Sequence, residues 1–382
     1  MALPSGVKRY FKTFDYLLAI FALLCSAYGI LICKSATAYL GTNRYFYTQI
    51  IATVIGVIAM LVIAAINYDF VVKNAGFFFA GMVALLALTL VIGHGDEIGS
   101  KSWISIPGVP FNIQTAEFAK LIYALTFGAH LAAVKDNINK PHHVLLLLLH
   151  TGIVIGLVFL QGDMGSALVF AAMFLAMCLY AGLSYWYFIG AGAIVVAAAP
   201  FVWNYLPEYR RMRILVGFNP DLDPQKWGYQ QIQSRKAISL GGITGMGYEN
   251  GYLTSGGNVP KQQTDFAFSV VGENFGLIGS LAALILLSLL VIRIMQSARR
   301  ARSDAGGYIC VGIASMLIFQ IIENVGMCLG VLPVIGIPLP FFSYGGSSVL
   351  SIYMGIGMVL AVSARRNIYF SSHDESRLYR RR

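Results

Sequence analysis

Charge is scarce in this sequence. Only 12% of its 382 residues are Asp, Glu, Lys or Arg, while 57% are hydrophobic. Soluble domains carry about 25% charged residues. A water-soluble chain of this length could not hide so much apolar surface, and mean hydropathy is +0.70. Most soluble enzyme classes are therefore excluded, as are disordered and collagen-like chains. Acids are fewer still, 17 against 27 basic residues, for a net charge of +10. The basic residues sit between apolar runs, where they act as topology signals and attract anionic lipid, and no nucleic-acid partner is expected. Cysteine is sparse too. Cys25, Cys33, Cys178, Cys310 and Cys328 lie in or beside apolar runs with no CxxC pair, so they read as small core residues rather than disulfides or metal ligands. The six histidines show no metal-ligand spacing. No internal repeat is visible, so nothing points to the two-fold repeats of many transporters.

What the chain has is long hydrophobic runs. Tyr16–Cys33, Tyr47–Ile66 and Phe77–Gly93 carry no charge. Thr115–Val134 contains Glu117 and Lys120, and Val144–Leu160 follows. Met164–Leu206 is uncharged and too long for one span, so it is expected to break near Gly182-Leu183-Ser184. Phe266–Ile292, Tyr308–Val331 and Ser347–Ala364 complete the set. The expected fold is an all-α integral membrane protein of about ten transmembrane helices, forming one polytopic domain over residues 16–364. Residues 1–15 and 365–382 would be cytoplasmic, and residues 207–265 would form a large extracytoplasmic loop between helices 7 and 8. Orientation follows from charge. One side holds the basic residues of both termini and of alternate loops, whereas the short loops of the other hold only Lys34, Arg44 and Lys101. Ala36-Thr37-Ala38 resembles a cleavage site, but the first apolar run exceeds a signal core, and an uncleaved first helix is expected. Lys8-Arg9-Tyr10-Phe11-Lys12 reads as an interfacial anchor.

Polar residues inside or beside the spans are the candidate functional groups. The loop of residues 207–265 is long, glycine-rich over Gly241–Gly257, and basic, with Arg210, Arg211, Arg213, Lys226, Arg235, Lys236 and Lys261. Asp265 closes it at the membrane boundary. It can cap the following helix or act as a general base toward an amphiphile whose head group lies at that depth. Glu117 and Lys120 share a helix face. Each would cost about 2.5–3.5 kcal/mol at a bilayer centre, so they face the bundle interior, as a structural ion pair or as a cation held for an anionic group. Glu273 and Glu323 also lie inside spans and should find partners in the bundle, for packing or for chemistry. Asp163, in Gln161-Gly162-Asp163-Met164-Gly165, is either a turn cap or a site residue. Trp103 suits an interface belt. Ser343-Tyr344-Gly345-Gly346-Ser347-Ser348 is irregular backbone at a membrane boundary, tolerated where it is buried in protein or lines a cavity. Basic groups near outside-facing acids suit a phosphate or pyrophosphate substrate. Chemistry and transport both fit at this point.

Several of these segments match one known pattern. Residues Asn324 to Ser348 (NVGMCLGVLPVIGIPLPFFSYGGSS) resemble the signature of the SEDS family, the RodA, FtsW and SpoVE proteins of bacteria. Trp227-Gly228-Tyr229-Gln230, Lys261-Gln262-Gln263-Thr264-Asp265-Phe266, the Gln161–Gly165 turn and Glu117-Phe118-Ala119-Lys120 are similar to other family elements, so the likeness runs from about Asp15 to Arg366. Gly162 stands where proline is usual, Ala267 where a larger apolar residue is usual, and Asn274 where many members have a second glutamate. Lys101-Ser102-Trp103 is less basic than the common Arg-Arg-Trp. The short tails are closer to RodA or SpoVE than to FtsW. The resemblance implies a peptidoglycan glycosyltransferase of the bacterial plasma membrane. It would polymerise lipid II, an undecaprenyl-pyrophosphate-linked disaccharide-peptide, for elongation, division or sporulation, together with a class B penicillin-binding protein. It implies Asp265 as catalytic base. Lys120, Glu117, Trp103, Arg210, Arg213, Asp163, Ser343, Gly345 and Gly346 would form the substrate site. A divalent cation, Mg²⁺ or Mn²⁺, would suit the pyrophosphate, although no dedicated metal cage is readable and no organic cofactor is expected. A lipid II flippase and a non-catalytic scaffold are the alternatives.

Overall fold

The computed structural model describes residues 14–95, 101–105, 111–205 and 207–379, and for residues 202, 209, 210, 213 and 366–379 it describes the backbone alone. The expected anchor at Lys8–Lys12 lies outside the described residues. The elements run in order as α1 (Tyr16–Thr37), α2 (Arg44–Ala65), the short α3 (Tyr68–Lys73) and α4 (Ala75–Ile92). A two-stranded antiparallel ribbon, β1 (Trp103–Ile104) with β2 (Ile113–Gln114), leads into α5 (Thr115–Val134). Then come α6 (Pro141–Leu160), α7 (Met164–Tyr180), α8 (Tyr185–Tyr205), α9 (Glu208–Phe218), α10 (Tyr229–Gly241), α11 (Ala267–Arg299), α12 (Asp304–Cys328) and α13 (Gly346–Tyr379). Among the described residues, eight helices are long and apolar enough to cross a membrane, and the shorter apolar helices Met164–Tyr180 and Tyr185–Phe201 stand where the remaining two spans were expected. The long apolar run breaks where the sequence suggested, at Gly182, whose φ of +88° suits glycine.

The structure adds two features. The loop of residues 207–265 contains two helices, α9 and α10, because its charged residues alternate with apolar ones that pack inward, such as Val216 and Ala237. The last helix runs past Ala364 to Tyr379. Its Arg365 pairs with Asp69 and lies 5.0 Å from the centre of the Tyr68 ring, which anchors the helix where it leaves the apolar zone.

α12 and α13 form the centre of the bundle. α4, by contrast, buries only Met82, Leu86 and Thr89 and exposes Phe77, Leu88 and Val91. Such an all-round apolar helix is stable only where lipid is the solvent. Glycine permits close packing between helices. A Cβ at Gly56 would meet the Tyr353 ring at 2.7 Å, and one at Gly357 would meet the Met60 carbonyl at 2.7 Å, so α2 and α13 touch almost backbone to backbone. Ion pairs gather at one end of the bundle: Arg293 with Asp15 at 2.9 Å, Lys135 with Asp304 at 2.9 Å, and Arg365 with Asp69. The opposite end carries the loop of residues 207–265 and the proline-rich segment.

That loop is tied down at several points. Glu273 accepts from Leu253 N and Thr254 N, both at 2.8 Å, so its role is to anchor the glycine-rich turn. Asn274 donates to Ser35 Oγ at 2.6 Å and accepts from Gly251 N at 3.1 Å. Gln262 donates to Ala36 O and Thr254 O, both at 2.8 Å. α11 is broken at Gly276, with φ +63° and ψ −158°, where the turn at Gly245 packs against it.

Candidate active site

Between these elements lies a cleft of about 950 Å³. The signature segment builds its floor by an unusual concentration of bonds on three successive carbonyls. Tyr344 N donates to Gln263 O at 2.7 Å, Ser343 Oγ donates to Thr264 O at 2.5 Å, and Asn324 Nδ2 donates to Asp265 O at 2.7 Å. The same Asn324 amide reaches Ile337 O at 2.8 Å, and Ser343 Oγ accepts from Leu339 N at 2.8 Å. On the other side, Lys261 adopts a left-handed φ of +54°, and its carbonyl accepts from the amides of Thr264, Asp265 and Phe266. The backbone of Asp265 is thus held from both directions by named groups, which is what a precisely placed side chain requires. Helix α11 is capped at Phe266 with no side-chain bond. The Asp265 side chain lines the cleft, and a Cβ on Gly336 would lie 3.6 Å from its Oδ2.

Across the cleft stand Glu117 and Lys120. Lys120 Nζ donates to Glu117 Oε1 at 2.6 Å, with side-chain exposures of 1% and 2%. Ser351 Oγ donates to Glu117 Oε2 at 2.9 Å. Both carboxylate oxygens are therefore met, while one of three ammonium hydrogens on Lys120 is used. Trp103 enters through the ribbon, which pairs with His94 and is joined to the Gln161 turn by Lys101 N donating to Gln161 O at 2.8 Å. Asp163 combines two roles. Its Oδ1 caps α7 at Ser166 N, 2.9 Å, and its Oδ2 accepts from Gln114 Nε2 at 2.6 Å at the cleft wall.

Of the expected site residues, Asp265, Lys120, Glu117, Trp103, Asp163 and Gly345 line this one cleft. Ser343 stands behind it as a clamp on the Asp265 segment. Gly346 begins α13 against Phe111, and a Cβ there would meet that ring at 2.2 Å. Arg210 and Arg213 lie on α9, and their side chains fall outside those described. The cleft also holds two exposed cations, Lys226 and Lys261, beside Trp227. These were visible in the sequence as loop residues, but only the fold carries them to Asp265. Burial raises the Tyr344 phenol above its ordinary value, so it contributes a neutral hydroxyl. Gln231, Gln263 and Gln320 line the cleft as well. Glu323 differs from expectation: it is buried, and neither carboxylate oxygen has a hydrogen-bond partner. Among the described residues, no three His, Cys, Asp or Glu side chains group closely enough to hold a metal.

Residues 15–368 match the protein family described as cell cycle protein, FtsW/RodA/SpoVE. The chain is 33% identical over 374 residues to a protein of Geobacter metallireducens named probable peptidoglycan glycosyltransferase FtsW, covering 94% of this chain and 96% of that protein. It is 34% identical over 365 residues to stage V sporulation protein E of Bacillus subtilis, covering 91% and 96%. Among solved structures, it is similar to a chain of a peptidoglycan synthase complex described as coordinating polymerization and crosslinking. That match has a TM-score of 0.81 and 29% identity and covers 92% of this chain and 98% of that one. It is also similar to the rod shape determining protein RodA of Thermus thermophilus, with a TM-score of 0.69, 26% identity, and coverage of 92% and 97%.

Proposed function

The chain belongs to the FtsW, RodA and SpoVE family of cell cycle proteins, and from that premise we infer that it is a multi-pass bacterial membrane enzyme, a peptidoglycan glycosyltransferase, that polymerises lipid II. The observation that carries the reading is a single cleft holding a firmly positioned carboxylate, Asp265, opposite a buried ammonium, Lys120. In this reaction the 4-hydroxyl of the acceptor sugar attacks the anomeric carbon of the donor. Asp265 takes the hydroxyl proton. The bond from the anomeric carbon to the pyrophosphate oxygen breaks on the opposite face, and the configuration inverts. The leaving undecaprenyl pyrophosphate gains negative charge, which Lys120, with Lys226 and Lys261 at the cleft wall, stabilises. Trp103 and Trp227 offer apolar faces for sugar rings. The cleft would open at the outer membrane surface, as the charge segregation implies, and a class B penicillin-binding protein would cross-link the product.

A flippase would need charged groups spread along a path through the bundle. Here Glu273 is consumed in anchoring a loop and Glu117 is saturated by Lys120 and Ser351, so of the acids inside the spans only Glu323 is left unmet, and one group does not make a path. The deciding experiment supplies labelled lipid II to the purified protein, with and without a class B penicillin-binding protein. Wild type should give long glycan and Asp265→Asn none. Undiminished polymer from a folded Asp265→Asn variant would remove Asp265 as the base.

A further inference from the structure

At the end of the bundle opposite the cleft, α1, α11 and α13 border a second pocket, of about 420 Å³. Asp15, Arg293, Gln296, Ser297, Arg300 and Ser363 line it. The bias of basic residues in the sequence predicts this end to be cytoplasmic. Asp15 is the acid among them, and it is engaged on both oxygens. Its Oδ1 caps α1 at Leu18 N, 3.2 Å, and Oδ1 and Oδ2 accept from Arg293 Nε at 3.1 and 2.9 Å. Arg293 also donates from Nη1 to Gln296 Oε1 at 2.9 Å. These bonds fix the guanidinium plane and leave three of its five N–H groups unused. Arg300 stands two helical turns further on, at the C-cap of α11. It is exposed, and among the described residues it pairs with no acid.

Two guanidiniums against one neutralised acid favour an anion, and a guanidinium fork suits phosphate oxygens. The surroundings specify what carries the phosphate. Running from the pocket toward the membrane interior, α1 exposes Leu17, Ile20 and Leu24, each close to half exposed and spaced to share one helix face. On α11, Leu289 is exposed one turn below Arg293. In a bilayer such residues meet acyl chains, so a ligand with a phosphate at one end and hydrocarbon at the other contacts both parts. An ethanolamine head group would bring an ammonium to a pocket without a free acid. A glycerol head group would meet the neutral side chains of Gln296 and Ser363 instead. We propose that this pocket binds an anionic phospholipid of the phosphatidylglycerol class, with Arg293 and Arg300 holding its phosphodiester and the α1 strip receiving an acyl chain. Basic pockets between transmembrane helices take anionic head groups by the same physics. Asp15 serves as a positioning residue: it holds Arg293 in place and does not touch the lipid. The proposal does not rest on the glycosyltransferase reading.

The test is titration of the purified, delipidated full-length protein in detergent with dioleoylphosphatidylglycerol, read by native mass spectrometry and by melting temperature. Wild type should take up the lipid saturably and melt at a higher temperature with it. Dioleoylphosphatidylethanolamine and glycerol 3-phosphate, run in parallel, should do neither. Arg300→Gln should weaken binding about tenfold, the loss of one charged hydrogen-bonding group. Arg293→Gln alone would strand the buried Asp15, so it is made together with Asp15→Asn, which keeps a neutral pair. That double variant should fold and bind at least about tenfold more weakly. Lys135→Gln removes the same charge from the same end of the bundle but outside the pocket, and it should bind like wild type. Absence of saturable binding overturns the proposal, as does equal binding of the ethanolamine lipid. A matching shift with glycerol 3-phosphate would make the site one for free phosphate and overturn the lipid assignment. Equal weakening by Lys135→Gln and Arg300→Gln would reduce the effect to general surface charge. Because every readout is binding or melting, failure of the polymerase reading leaves this result intact, and the reverse also holds.

Discussion

Lys120 and Glu117 can be a structural pair or a working cation with its support, and a double-mutant cycle separates the two. Lys120→Met keeps the bulk of the stem but removes the ammonium. Glu117 is then left 2% exposed with only Ser351 Oγ as partner. Breaking a buried pair from one side costs about 3–5 kcal/mol, because the remaining charge stays desolvated. The single variant should therefore melt several degrees lower in detergent. Lys120→Met combined with Glu117→Gln removes both charges, and the new amide oxygen can still accept from Ser351. Most of the lost stability should return, since replacing both members of a buried pair is often near neutral. Activity should not return with it. Loss of a preorganised positive group opposite a leaving oxyanion costs about 10²–10³ in kcat, and restoring the fold does not replace that charge. The assay is glycan length and rate from labelled lipid II, set beside melting temperature for the wild type, both singles and the double. A double variant that regains both stability and wild-type turnover would refute the catalytic role of Lys120 and leave the pair purely structural.

Two further outcomes follow from the clamp and the glycines. Asn324→Ala removes two bonds, of 2.7 and 2.8 Å, on the Asp265 and Ile337 carbonyls. It should lower kcat by up to about 10²-fold through a displaced carboxylate, with KM little changed, and steady-state kinetics would reveal the split. Gly346→Ala would press a Cβ to 2.2 Å from the Phe111 ring and should destabilise by about 1–3 kcal/mol, whereas Gly345→Ala meets nothing closer than 3.4 Å and should melt like wild type.

Much of the architecture was legible in the chain because lipid imposes a simple rule. Every backbone polar group in the bilayer must be met within its own segment, so uncharged runs of about 20 residues become helices. The run from Met164 broke at Gly182 as its length required. The loop of residues 207–265 was less legible. It contains ordinary amphipathic helices, and its glycine-rich turn is ordered by side chains from elsewhere, Glu273 and Asn274 above all. The resemblance implied Asp265, Lys120, Glu117, Trp103, Asp163 and Gly345 as site residues, and these six line one cleft. It also grouped with them Ser343 and Gly346, which the fold uses to hold the site rather than to form its wall.

By itself, then, the sequence determined the solvent, the helices and the chemical inventory, because hydropathy and charge are local properties of a chain. Which of those charges meet was decided only by the tertiary structure. Asp265 and Lys120 are far apart in the chain and meet only as walls of one cleft, where Ser343, Tyr344 and Asn324 hold the Asp265 side by bonding three successive carbonyls. The same packing left Glu323 buried without a hydrogen-bonding partner. A missing partner is a property of the surroundings in three dimensions, and no spacing along the chain encodes it.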